Sequence, residues 1–148
     1  DGFELSLQHL FGESGFGVQA NYTIVDSDAE YDTSDFGSQA ILIGLSDSWN
    51  LIGFFENDMF SVRVAANWRD EFLYGTNQLR ATNEPVYFDE YLQVDMNASW
   101  YINDTFSVSF EVLNMFGEDQ LQSGRYGSQF LFENEQDPRY TLGVRAVF

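Results

Sequence analysis

Along most of this chain, hydrophobic side chains fall on every second position. In residues 140–148, Tyr140, Leu142, Val144, Ala146 and Phe148 share one parity, while Thr141, Gly143 and Arg145 hold the other and Val147 is the one apolar intruder. Successive side chains of a β-strand point to opposite faces, so a period of two predicts a strand with one apolar and one polar side. Phe3, Leu5 and Leu7 alternate with Glu4, Ser6 and Gln8, and Phe16, Val18, Ala20, Tyr22 and Ile24 alternate with Gly17, Gln19, Asn21 and Thr23. Two longer runs are Phe60, Val62, Val64, Ala66 and Trp68, then Leu92, Val94, Met96, Ala98, Trp100 and Ile102, each interleaved with polar or small residues. Phe106, Val108, Phe110 and Val112 against Ser107, Ser109 and Glu111 make another. One more strand is expected within residues 41–56, where Ile52 and Phe54 blur the faces. That makes about seven strands. Pro85 and Pro138 both lie outside these runs, as a hydrogen-bonded ladder requires.

The connections alternate as well. Residues 12–15, 56–59 and 103–105 are short and built of turn-forming residues, whereas 25–39, 70–90 and 117–137 are long, polar and read as loops. If Ile102 opposes Phe106, Asn97 opposes Glu111. All short turns then fall at one end of an up-and-down antiparallel meander. Aromatics gather near both ends: Phe11, Phe16, Phe60, Trp100, Phe106 and Phe148 at the tight-turn end, with Phe55 joining them, and Tyr22, Trp68, Tyr91 and Tyr140 at the other. The eight steps from Phe60 to Trp68 span about 27 Å at ~3.4 Å per residue. A ~40° tilt reduces this to about 21 Å of height, near the ~25 Å apolar band of a transmembrane β-barrel. Such a barrel carries short turns on its periplasmic side, long loops outside the cell, and a polar lumen. A soluble ligand-holding barrel reverses the faces. The reading is therefore all-β: antiparallel up-and-down strands, about seven, forming part of a larger transmembrane barrel. The alternative is a self-contained small soluble β-barrel or β-sandwich that binds a ligand.

Composition narrows the function. The 148 residues carry a net charge of −18, contain six Arg and no Lys, and lack Cys. So acidic a chain is a poor partner for nucleic acid, whose phosphates it would repel. Without Cys there is no thiolate metal site, no Cys nucleophile and no disulfide framework. No apolar run reaches the roughly 20 residues of a membrane helix, and no signal peptide is read at the start.

Four segments carry a family resemblance. Leu45-Ser46-Asp47-Ser48-Trp49-Asn50-Leu51, Val62-Arg63-Val64-Ala65-Ala66-Asn67-Trp68-Arg69, Phe110-Glu111-Val112-Leu113-Asn114-Met115-Phe116-Gly117 and residues 139–148 follow one another as in the C-terminal barrel of TonB-dependent receptors, which this chain resembles. The resemblance covers essentially the whole chain and implies the last third of a 22-stranded barrel. It implies outer-membrane localisation in a Gram-negative bacterium, outer-membrane lipid and the barrel-assembly machinery as partners, and active uptake of a scarce solute: siderophore, cobalamin or saccharide. The family's plug and TonB box have no counterpart within residues 1–148, so contact with TonB is expected only through a missing N-terminal part. The terminal Tyr140, Leu142, Val144 and Phe148 are expected to serve as the assembly signal.

Transport breaks no bond, so no catalytic residue, metal or cofactor is expected. His9 is the only His; alternating with Leu7 and Phe11, it reads as an interfacial side chain, and this argues against an outer-membrane enzyme. Residues 26–35 space carboxylates like a calcium loop, but Tyr31 stands where an EF-hand requires Gly, so a solvated acidic loop is expected. Arg63, Arg69, Asp95, Glu111 and Arg145 are expected on the lumen side, paired with one another or with the plug. Ligand contact is expected from the long loops, through Tyr74, Arg80, Tyr87, Arg125 and Tyr126. Aromatic platforms beside amides suit a small molecule or oligosaccharide.

Overall fold

The computed structural model describes residues 1–29, 31–78 and 81–147. These form eleven strands and no helix: β1 (Gly2–Leu10), β2 (Phe16–Val25), β3 (Ser48–Glu56), β4 (Phe60–Arg69), β5 (Phe72–Gln78), β6 (Ala81–Phe88), β7 (Tyr91–Tyr101), β8 (Phe106–Leu113), β9 (Gln120–Ser123), β10 (Phe130–Asn134) and β11 (Arg139–Ala146). Seven of them make one antiparallel sheet in the order β1-β2-β3-β4-β7-β8-β11. This is the expected up-and-down meander, and Asn97 does oppose Glu111. At about 4.8 Å between neighbours it forms a wall roughly 29 Å wide. Its outer strands, β1 and β11, do not pair with each other.

Register divides the side chains between the two faces. On one face Leu7 meets Ala20, Ala20 meets Leu51, Leu51 meets Ala66, and Ala66 meets Val94. Nearer the tight turns, Val62 meets Ala98, Ala98 meets Phe110, and Phe110 meets Leu142. The opposite face pairs Gln8 with Gln19, Asn21 with Asn50, Asn50 with Asn67, Asn67 with Gln93, Asn97 with Glu111, and Glu111 with Thr141. A one-residue slip anywhere would exchange the faces, so this matching fixes the register of the whole sheet.

The ambiguity of β3 is resolved. Trp49, Leu51, Gly53 and Phe55 join the apolar face, while Ile52 and Phe54 lie among the polar residues. The Phe54 ring lies over Gly17, filling the place where any β-carbon would stand. Among the expected aromatics, Tyr91 moves to the polar face: it opposes Arg69, and its hydroxyl reaches Gln93 and Gln136. Phe148 lies outside the described residues.

The three tight turns do share one end. Asn57 Oδ1 accepts from the amides of Met59 and Phe60, and Asn103 Oδ1 accepts from those of Thr105 and Phe106. Gly12 and Gly15 have positive φ in the β1–β2 turn. Backbone bonds from Glu56 to Gly15, Tyr101 to Met59, and Val147 to Thr105 link these turns sideways.

Two of the long segments are not loops. Residues 70–90 contain the hairpin β5–β6 and residues 117–137 contain β9–β10; together they form a second, four-stranded sheet in the order β10-β9-β6-β5. Phe72 faces Phe88 three residues beyond the Arg69–Tyr91 pair on each strand, so β5–β6 continues the β4–β7 ladder past its break. We call this sheet the rim.

The packing is lopsided. Leu73 and Val112 are the buried hydrophobic side chains described, while Leu5, Leu7, Leu51, Phe60, Trp100, Phe110, Leu142 and Val144 are exposed. The apolar face of the wall stands largely open, with Val112 near its loop end the buried exception among the described residues.

Candidate functional site

The site is built at the loop end. Continuity of β4–β7 into β5–β6 raises Phe72, Tyr74 and Phe88 above the wall. The Phe72 and Phe88 rings stack at 5.3 Å, and Tyr74 meets Phe88 edge-on at 5.1 Å. Arg69 lies 3.6 Å over the Phe72 ring and donates to the Gly44 carbonyl and the Ser46 hydroxyl, which ties residues 44–46 to the base of the rim.

On the far side of β8 the chain must leave the wall, and Asn114 makes the bend. It is buried with φ 51°, a backbone conformation Asn tolerates better than most residues. Its backbone amide donates to Asp95. Its side-chain amide donates to the carbonyls of Glu118 and Gln136, and its Oδ1 accepts from the Glu118 amide. One side chain thus joins the start of β9 to the approach to β11.

Arg125 joins the hairpins to residues 26–47. It is 5% exposed. Nη1 donates to the carbonyl oxygens of Thr33 and Asp35, and Nη2 donates to that of Asn83. The Glu84 carboxylate receives Nε and Nη2, both at 3.3 Å. This pairing holds the guanidinium still further above its ordinary range. The charge also sits 4.3 Å over the Phe36 ring and 5.6 Å from that of Tyr31, whose hydroxyl donates to the Asn83 carbonyl.

Between the hairpins a cleft of about 510 Å³ opens, lined by Tyr74, Gly75, Thr76, Asn77, Val86, Gln122, Leu131 and Phe132. Of the four described residues among the five singled out from sequence, Tyr74 alone lines it. Tyr87 lies in β6 opposite Leu73 and Ser123, away from the lining, with its phenol pushed up first by burial and then by the Glu71 carboxylate. Arg125 is enclosed in the latch just described. Tyr126 is exposed at the β9–β10 tip and outside the lining. Arg80 lies outside the described residues.

Sequence reasoning passed over Asn77, Val86, Phe132 and the bend at Asn114. The apolar triplets Phe72-Leu73-Tyr74, Val86-Tyr87-Phe88 and Phe130-Leu131-Phe132 were the available signal, short runs of strand formers inside polar segments.

The other expected groups are placed as follows. Arg63, Asp95, Glu111 and Arg145 lie on the polar face, where no ion pair joins any of them or Arg69 to another; Asp95 accepts instead from Gln93 and the Asn114 amide. His9 opposes Val18 on the apolar face and meets the Phe11 ring edge-on at 4.7 Å. Tyr140, Leu142 and Val144 line the apolar face of β11.

In the acidic loop, Asp32 accepts from the amide and hydroxyl of Ser34, and Asp35 from the Gly37 amide. The Ser34 hydroxyl, then its amide, hold the Asp32 carboxyl below the usual carboxylate range. Burial, then Asp89 and Asp70, push that of Glu71 above it. Among the described residues, no group of three or more His, Asp or Glu is arranged to hold a metal ion.

Comparison with known protein families, curated proteins and solved structures finds no match.

Proposed function

We propose that the chain is a section of the wall of an outer-membrane β-barrel, of the kind that TonB-dependent receptors use to take up a scarce solute. The observation that carries this reading is the uncovered apolar face. Seven strands hold hydrophobic residues in matched register on one side, and most of that face stands exposed. Contiguous apolar surface on this scale marks an interface with lipid or protein.

Three further features favour lipid. The opposite face is polar, as a wet lumen requires. The face bears aromatics at both ends, with Phe16 on Phe55 and Phe60 on Trp100 at the tight-turn end and Trp49 on Trp68 at the other. Loop length is segregated by end. In this reading β1 and β11 pair with further strands of the parent barrel, because an open edge of nine exposed residues such as β1 invites another strand. The rim then faces the outside of the cell and meets the solute; energy coupling belongs to the plug and TonB box of the parent protein.

The experiment is fractionation of the full-length protein, followed by electrophoresis of unheated and heated detergent samples. Recovery in the outer membrane with heat-modifiable migration is expected. A cooperative monomer in detergent-free buffer would instead establish the self-contained module.

A further inference from the structure

We infer that the rim cleft binds an uncharged saccharide through stacking on Phe132 and Tyr74 and hydrogen bonds to Asn77 and Gln122. The inference names the substrate class of the uptake reading and rests on it.

The cleft's about 510 Å³ falls within the span typical of small-molecule sites. Its two rings are conspicuously bare: Tyr74 is 59% exposed and Phe132 54%. A sugar ring presents a C–H face that can lie on an aromatic face, and a rim of hydroxyls that both donate and accept. Asn77 and Gln122 offer both roles from one side chain, and Thr76 adds a hydroxyl. Among the described residues, no protein group hydrogen-bonds these three side chains, so they are available to a ligand.

Charge decides the class. Among the described residues, no Asp, Glu, Arg or Lys lines the cleft. An anionic chelate would find no cation among the lining residues, on a chain of net charge −18, and a cationic ligand would find no carboxylate there. Neutral hydroxyls lose nothing by either absence.

The site is also held in shape. Leu73, Pro85, Ser123 and Arg125 are buried in the rim sheet and its connections, and Arg125 fastens both hairpins to residues 33–35. Less ordering is then left to be done on binding, which favours affinity.

The test is calorimetric titration of the full-length protein in detergent micelles with neutral hexasaccharides of the α-glucan, β-glucan, xylan and mannan series, and separately with ferric citrate. Binding of at least one hexasaccharide is expected, weakened about tenfold or more by Phe132→Ala, by Tyr74→Ala and by Gln122→Leu. Circular dichroism and heat-modifiable migration should match wild type in all three variants. Binding of ferric citrate alone, binding of no hexasaccharide, or saccharide affinity indifferent to both Phe132→Ala and Gln122→Leu in a protein that still behaves as a barrel would overturn the inference and leave the wall reading standing. Saccharide binding that depends on Phe132 and Gln122 in a protein that proves monomeric without detergent would support the cleft and remove the membrane.

Discussion

The wall and the rim are both antiparallel β-sheets of one chain, yet they are held together differently. In the wall, β3 and β4 pair without interruption from Ser48–Arg69 to Glu56–Ser61, and β4 and β7 from Phe60–Trp100 to Arg69–Tyr91. In the rim, the β5–β6 pairing breaks register at four places, and β6 meets β9 through two residue pairs only. The wall is specified by repetition: each strand needs only to place apolar residues on one side and polar ones on the other, and the ladder does the rest. The rim is specified by individual polar side chains. Arg125 and Asn114 bond backbone carbonyls of segments tens of residues away, and no periodic pattern announces such bonds. A surface that faces one uniform medium can be periodic, while one that must present a shaped cleft has no use for periodicity.

The largest effect that separates the two regions is a charge placed in the wall. Val64 lies on the apolar face between Gly53 and Met96. Val64→Arg should cost about 2–4 kcal/mol if that face meets the middle of a bilayer. Asn67→Arg, three residues on and among Asn50 and Gln93 of the polar face, should stay within about 0.5 kcal/mol of wild type. Urea unfolding of the full-length protein in lipid vesicles measures both. Equal sensitivity at the two sites would erase the distinction between the faces.

An effect of smaller reach should stay in the rim. Arg125→Met removes the donors to Thr33, Asp35, Asn83 and Glu84 while keeping a long apolar stem. Hydrogen exchange should quicken through residues 31–36, 83–85 and 123–129 and stay unchanged in β2, β3, β4 and β7. The result that breaks the comparison is loss of protection in the wall as well, since the two sheets would then unfold as one unit. Asn114→Ala should act more locally still. It leaves the Glu118 amide and the Glu118 and Gln136 carbonyls without their partner and asks Ala to hold φ 51°. Loss of one such buried partner costs about 1–3 kcal/mol, and faster exchange should be confined to residues 114–119 and 134–138.

This contrast also explains what could be read from sequence. The meander of seven strands, the pairing of Asn97 with Glu111 and the grouping of tight turns at one end all follow from period-two alternation and turn chemistry, which are local. Tyr91 was misplaced because an aromatic near a strand end suits the apolar girdle as well as the polar face, and only its register against Arg69 decides. The rim hairpins were hidden because Gly75, Pro85 and the slips in register interrupt their alternation before it reaches convincing length. Tyr74 was legible as an exposed ring in a polar segment, whereas Phe132 belongs to the site only because β9 is brought beside β6. The latch of Arg125 was illegible for the same reason: its partners lie as far as 92 residues away.

The smallest effect expected is a response to pH, which should touch the rim and spare the wall. Beside the rim two carboxyl groups, Asp32 in the acidic loop and Glu71 at the foot of β5, are displaced in opposite directions. Asp32 is held low by the Ser34 hydroxyl and amide. Its contribution to the turn is therefore fully present above the ordinary aspartate value, near pH 3.9, and is lost as pH falls through the lower value it has when folded. Glu71 is raised by burial and by the neighbouring carboxylates of Asp89 and Asp70. Its charge opposes folding at neutral pH, and that opposition is relieved as pH falls through its folded value. Lowering the pH from 7 towards the ordinary glutamate value near 4.3 should therefore tighten the base of the rim around residues 70–72 and 88–90, with the Asp32 turn unaffected. Below about pH 4 the Ser34 amide should lose protection. Both groups are largely exposed, so solvent screening keeps these changes small. Glu71→Gln should remove the first response and Asp32→Asn should blunt the second, each without altering exchange in β3 or β4. Amide exchange followed by mass spectrometry, corrected for the intrinsic pH dependence of exchange, measures both. A Ser34 amide that loosens already between pH 7 and 5, or a rim base that loosens rather than tightens over that interval, would contradict the assignment of these two carboxyls.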